Sequence, residues 1–125
     1  MGVQGGCGDP GDMELRHMTP TNRRQLCDIL EHGEGWKRVM GVVPRSRLDR
    51  TNKYSADQVA TLARHVSPSK PGMELLLREW STSGRVRPTL SDLYTLCKEV
   101  EEERAAAFVL DLMGGREPAH KELQQ

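Results

Sequence analysis

The chain has 125 residues, enough for one domain with a small core, and its 18 basic and 18 acidic side chains cancel. A formal charge of zero excludes a global field that would draw the protein to nucleic acid or to a membrane. Only 4% of the residues are aromatic, so the core must be built from Leu, Val, Ala and Met, which suits helices better than strands.

Residues 1–15 are Gly-rich and poor in apolar side chains, and are expected to form a flexible N-terminal arm. Six short helices are then predicted. The first spans Pro20 to Glu31, with Thr19 as its N-cap, Pro20 in its first turn and Gly33 as its stop. Its apolar stripe is Leu26, Ile29 and Leu30. The second, from Gly35 to Val43, carries Trp36, Val39, Met40 and Val43 at helical spacing and ends at Pro44. A polar loop, 45–53, follows. The third opens at a capping box, Ser55-Ala-Asp-Gln58, and turns Val59, Leu62 and Val66 inward.

Ser67-Pro-Ser-Lys-Pro-Gly breaks that helix. The fourth, Pro71 to Ser81, is apolar almost all round, as expected of a central helix, and Gly84 is its predicted stop. The fifth is capped by Thr89-Leu-Ser-Asp92 and packs Leu90, Leu93, Leu96, Cys97 and Val100. The sixth runs from Glu102 to Met113, opens on carboxylates that favour a helix N-terminus, and packs Ala105, Phe108, Val109 and Leu112. Residues 115–125 are expected to be a flexible tail. Short links make successive helices neighbours in an all-α bundle, with the domain over 16–114.

No catalytic constellation is visible. His17, His32, His65 and His120 are scattered, and none has metal-ligand spacing. Ser81 and Ser83 have no identifiable base. Cys7, Cys27 and Cys97 make an odd count without a Cys-x-x-Cys pair, so neither a disulfide framework nor a metal site is expected. The chain reads as non-enzymatic, without cofactor, in a reducing, cytoplasmic setting. No stretch is apolar for long enough to span a bilayer as a helix.

Charge is unevenly spread. From Arg16 to Lys53 there are nine basic residues against four acidic, and from Ser91 to Gln125 eight acidic against four basic. Ordinary solvated helix faces would give such a split, and so would two complementary patches that let copies or relatives stack head to tail. The arginines of the 45–53 loop leave open a nucleic-acid-binding bundle, although they do not lie along a recognition helix.

Several motifs carry a resemblance. Leu26-Cys-Asp-Ile-Leu30 followed by Gly33-Glu-Gly-Trp36-Lys-Arg38 resembles the start of the death domains of interleukin-1-receptor-associated kinases. Lys53-Tyr-Ser-Ala-Asp-Gln-Val59, Glu79-Trp-Ser-Thr-Ser-Gly-Arg85, Arg87-Pro-Thr89 and Ala106-Ala-Phe-Val109 with Leu110-Asp-Leu112 resemble more specifically the Tube-like death domains of the Toll pathway. The resemblance covers about residues 16–114.

It implies a six-helix antiparallel Greek-key bundle. It also implies a signalling adaptor that joins the death domain of a myeloid-differentiation-type adaptor to that of a Pelle-like kinase, in a helical oligomeric complex. The N-terminal regulatory domain of a larger receptor-associated-type kinase would look the same. By position, the resemblance makes Arg16, Arg24, Lys53, Glu101, Glu102 and Glu103 candidate partner contacts. Trp36, Leu76, Trp80, Leu93 and Phe108 match core positions. No nucleic acid and no membrane is implied as a partner.

Overall fold

The computed structural model describes residues 10–46, 48–82 and 86–115. Six α-helices follow one another: α1 (Pro20–Glu31), α2 (Gly35–Val42), α3 (Ala56–Ala63), α4 (Gly72–Trp80), α5 (Leu90–Glu99) and α6 (Glu103–Leu112). No strand occurs among the described residues, only isolated bridges.

Three of the helices start on side chains named from the sequence. Thr19 Oγ1 accepts from the Asn22 N–H at 3.1 Å at the head of α1. Before α3, Ser55 and Gln58 exchange reciprocal bonds of 3.1 and 2.7 Å, and before α5, Thr89 and Asp92 do so at 3.3 and 2.9 Å. Each cap stabilises its helix by about 1 kcal/mol. Gly33 turns the chain between α1 and α2 at φ 63, which a residue without a Cβ adopts freely.

The bundle closes on itself. α1 packs on α4, α2 and α6, α2 also meets α4 and α5, and α5 and α6 form the most extensive pair. First and last helices thus lie side by side, in the Greek-key order. The core they share includes Leu26, Leu30, Trp36, Val39, Leu76, Leu77, Trp80, Leu90, Leu93 and Val109. Trp36 lies across the backbone of Gly72, where a methyl group would fall inside the ring's van der Waals envelope. The Gly72 N–H, in the first turn of α4, donates to the Glu31 carboxylate. Gly72 is therefore a packing site, beyond the helix break its Pro-Gly context announces.

Three expectations need correction. Residues 10–15 do not form a flexible arm: Leu15 is fully buried, its N–H donates to Pro88 O at 2.9 Å, and the Leu90 N–H donates to Met13 O at 2.9 Å. The apolar Met13 and Leu15 dock on the start of α5, which offsets the entropy of ordering that short segment.

Phe108 is half-buried at the margin of the core. The inner stripe of α6 is Ala105, Ala106, Val109 and Met113, and the helical period sets Phe108 about 100° from its middle. Small residues on that stripe let α6 approach its neighbours closely. α3, finally, has no fully buried residue, and Val59, Leu62 and Val66 only flank the core because α3 packs on α2 and α4 at the edge of the bundle. Gly84 and residues 116–125, to which a helix stop and most of the tail were assigned, lie outside the described residues.

Candidate functional site

Among the described residues no group of three His, Cys, Asp or Glu is placed to hold a metal ion, and no helix is long and apolar enough to cross a membrane. Cys27 and Cys97 are buried and unpaired, and burial pushes both thiols from an ordinary 9.0 up to about 12. A depression of about 380 Å³ between α3 and α4 is lined by Leu62, His65, Lys70, Leu75, Arg78 and Glu79.

Arg16 is exposed in the turn before α1, where its Nε donates to Glu14 Oε1 at 2.6 Å. α1 then separates two adjacent arginines. Arg23 turns inward, and its Nη2 lies 3.2 Å from Glu74 Oε2, an oxygen that also accepts from Arg78 Nε at 2.9 Å. Arg24 points outward beside Pro20, Thr21, Gln25 and Asp28, and makes no ion pair among the described residues. Arg23 fastens α1 to α4, while Arg24 stays exposed. Adjacent residues on a helix point about 100° apart, which is why one is spent internally and the other is not.

Lys53 sits at the base of the loop between α2 and α3. Its N–H donates to Val43 O at 2.7 Å and its ammonium lies 5.8 Å from the centre of the Tyr54 ring. The side chain is half-buried, so it offers less charge to a partner than its sequence position suggests. No bond joins Lys53 to Arg16 or Arg24.

The acidic corner between α5 and α6 divides into three roles. Glu101 is exposed and takes a left-handed φ of 62, a conformation that costs a non-glycine residue about 1 kcal/mol. Glu102 is 13% exposed and its carboxylate is held by Arg38 of α2. That carboxylate also lies against Gly35, at the first position of α2, where a side chain would displace it. Glu103 is exposed and meets Lys98 Nζ at 3.0 Å. Of the three, Glu102 clamps α2 to the corner and Glu101 is left without an ion pair among the described residues. Arg38 carries no sequence signal of this role, because its partner is 64 positions away.

No family model matches the chain. Over 128 aligned residues it is 27% identical to Protein Tube of Drosophila melanogaster, covering 85% of this chain and 28% of that protein. Over 119 residues it is 28% identical to Protein Tube of Drosophila virilis, covering 77% of this chain and 23% of that protein. The chain therefore spans about a quarter of the length of these curated relatives. Among solved structures it is similar to a complex between the death domains of Pelle and Tube, with a TM-score of 0.75, 24% identity and 85% of both chains covered.

Proposed function

Because this chain is homologous to Tube and has the death-domain fold, we propose that it is the death domain of a signalling adaptor in a Toll-type pathway. In that role it bridges the death domain of an upstream, myeloid-differentiation-type adaptor and that of a Pelle-like kinase, in the cytoplasm and without catalysis of its own. The working domain then covers residues 16–114 together with the docked segment 10–15. Arg16 and Arg24 form the basic contact surface, with Lys53 contributing from its loop. Glu101 and Glu103 form the acidic one, and Glu102 gives that corner its shape through Arg38.

The observation that carries this reading is the likeness to Tube in sequence and in fold over 85% of the chain, and two surface charges are consistent with it. Arg24 and Glu101 are exposed and make no ion pair among the described residues, whereas Arg23 and Glu102 are committed to neighbouring helices. Exposed charges cost little to keep and confer partner choice rather than stability.

The test is titration calorimetry against the death domain of Drosophila Pelle. Arg24→Glu should weaken binding at least about tenfold, equal to roughly 1.4 kcal/mol. Its thermal midpoint should stay within about a degree of wild type, since Arg24 makes no internal bond whose loss would register as stability. Wild-type affinity in Arg24→Glu would remove α1 from the interface, and failure of the wild-type chain to bind would remove the adaptor reading itself.

A further inference from the structure

Between α3 and α4 the chain reads Ser67-Pro-Ser-Lys70. These four residues form a tight turn closed by two backbone bonds, from the Ser67 N–H to Lys70 O at 3.1 Å and from the Lys70 N–H to Ser67 O at 3.0 Å. Pro68, Ser69 and Lys70 are exposed, and Ser67 is half-buried. Residues paired in this way carry their side chains on the same face, with Cβ atoms about 4.5–5.5 Å apart. The Ser67 hydroxyl and the Lys70 stem therefore lie side by side, and the Ser69 hydroxyl is 3.3 Å from that of Ser67. The neighbourhood is basic. Lys70 and Arg64, the C-cap of α3, are exposed and make no ion pair among the described residues. Arg78, bonded to Glu74, shares the adjoining depression with Lys70, His65 and a single carboxylate, Glu79.

A proline directly after a hydroxyl and a cation three residues after it form the pattern that a proline-directed kinase reads. The proline brings no N–H to be satisfied in the kinase cleft, and the cation can pair with an anionic group there. Thr19-Pro20 is the other such pair in the chain, and it has Asn22 where the cation would stand. Thr19 Oγ1 is also engaged as the N-cap of α1, whose Leu26, Cys27 and Leu30 are buried. Drawing Thr19 into an extended conformation disturbs a core helix. Drawing out Ser67 breaks two backbone bonds next to α3, which has no fully buried residue.

We propose that Ser67 is a phosphorylation site for a proline-directed kinase that also reads Lys70, and that the folded chain then holds the phosphate between Lys70 and Ser69. The Ser67 hydroxyl oxygen attacks the γ-phosphorus of a nucleoside triphosphate bound by the kinase. An oxygen–phosphorus bond forms, the bond to the β-phosphate oxygen breaks, and the nucleoside diphosphate leaves. The hydroxyl proton passes to the kinase's catalytic carboxylate. The product carries a charge of about −1.5 to −2 and three strong acceptor oxygens. The Lys70 ammonium reaches it across the turn, the Ser69 hydroxyl donates to it, and Arg64 adds a further cation from the end of α3. The modification fastens the turn between α3 and α4 and removes positive charge from that face, a reversible electrostatic switch. The site goes beyond the adaptor reading and does not rest on it.

The site is tested by incubating the full chain with a cyclin-dependent kinase and magnesium ATP, then mapping phosphate by tandem mass spectrometry. One phosphate should appear on Ser67 with Thr19 unmodified, and Ser67→Ala should take up at least about tenfold less. Phosphate on Thr19 or Ser69 in place of Ser67 overturns the assignment. So does a native chain left unmodified while a peptide spanning the turn is phosphorylated under the same conditions. Titration of the phosphorylated chain by phosphorus NMR tests the capture. The second ionisation of the phosphate, ordinarily at about pH 6, should fall by at least about 0.5 in the folded chain, because neighbouring cations favour the dianion. The fall should vanish in urea and in Lys70→Ala phosphorylated to completion, and should persist in Lys70→Arg. Circular dichroism melts of both variants should match wild type, since Lys70 is exposed. An ionisation that Lys70→Ala leaves unchanged overturns the capture by Lys70.

Discussion

Trp36 and Gly72 meet as a ring on bare backbone, and the pair shows how much a single residue's role depends on what it faces. Trp36 reads as core from its spacing alone, but the need for glycine at position 72 follows only from the ring above it. The two buried cysteines make a related point with a measurable consequence. Burial raises both thiols to about 12, against 9.0 for an exposed group, because a thiolate there would lose its hydration. For Cys27 the nearby Glu74 adds to that effect and Arg23 opposes it. The unfolded chain ionises these thiols first, so their contribution to stability is complete below pH 9 and is lost as pH rises toward about 12. Urea melts should accordingly show a progressive loss over that interval that is smaller in Cys97→Ala. Native alkylation at pH 8, mapped by mass spectrometry, should leave Cys27 and Cys97 unmodified until the chain unfolds.

The helix starts of α1, α3 and α5 were legible because a cap is a local event: donor and acceptor lie three residues apart in the chain. The start of α6 is different. Its N-cap residue, Glu102, makes no capping bond with its side chain and instead holds Arg38 across the bundle. Removing that arginine leaves a half-buried carboxylate without its partner. Arg38→Ala should therefore cost about 1 kcal/mol, the upper part of the range for an ion pair with one exposed member. In a domain of this size the midpoint of a thermal melt should fall by about 4–8 °C. Arg38→Lys should recover part of the loss, since charge is kept while the planar fork is not. A melt unchanged in Arg38→Ala would mean that the corner is positioned by its backbone bonds alone, from the Glu101 N–H to Lys98 O and from the Glu102 N–H to Cys97 O.

Across the whole molecule, the segment before α1 decides where the folding unit begins. Leu15 is fully buried and the neighbouring backbone pairs with residues 88–90, so a chain beginning at Arg16 lacks a core side chain that one beginning at Pro10 retains. Loss of a buried leucine costs about 2–5 kcal/mol. Denaturant melts of the two truncated chains should differ by that amount, and equal stability would return residues 10–15 to the role of a dispensable arm. The charge split belongs to this scale as well. Counting residues finds a basic half and an acidic half, but the fold then spends Arg23, Arg38, Glu74 and Glu102 on joining helices. What is left at the surface is a smaller and more specific set.

The sequence by itself determined the helices, the caps of α1, α3 and α5, the all-α class and the greater part of the core. Each of these rests on periodicity or on contacts between near neighbours in the chain, which a linear reading contains. Trp36 and Leu93 are buried, as their helical spacing predicts, and Leu76 and Trp80 are buried in the helix expected to be apolar almost all round. The tertiary structure alone decided which charges are free, that Glu102 is tied to Arg38, that Phe108 lies at the margin, that Gly72 must be bare, and that Leu15 belongs to the core. These depend on which faces meet across the bundle. Residues far apart in the chain acquire a partner, or fail to, only once α1 lies beside α6 and α2 beside α5.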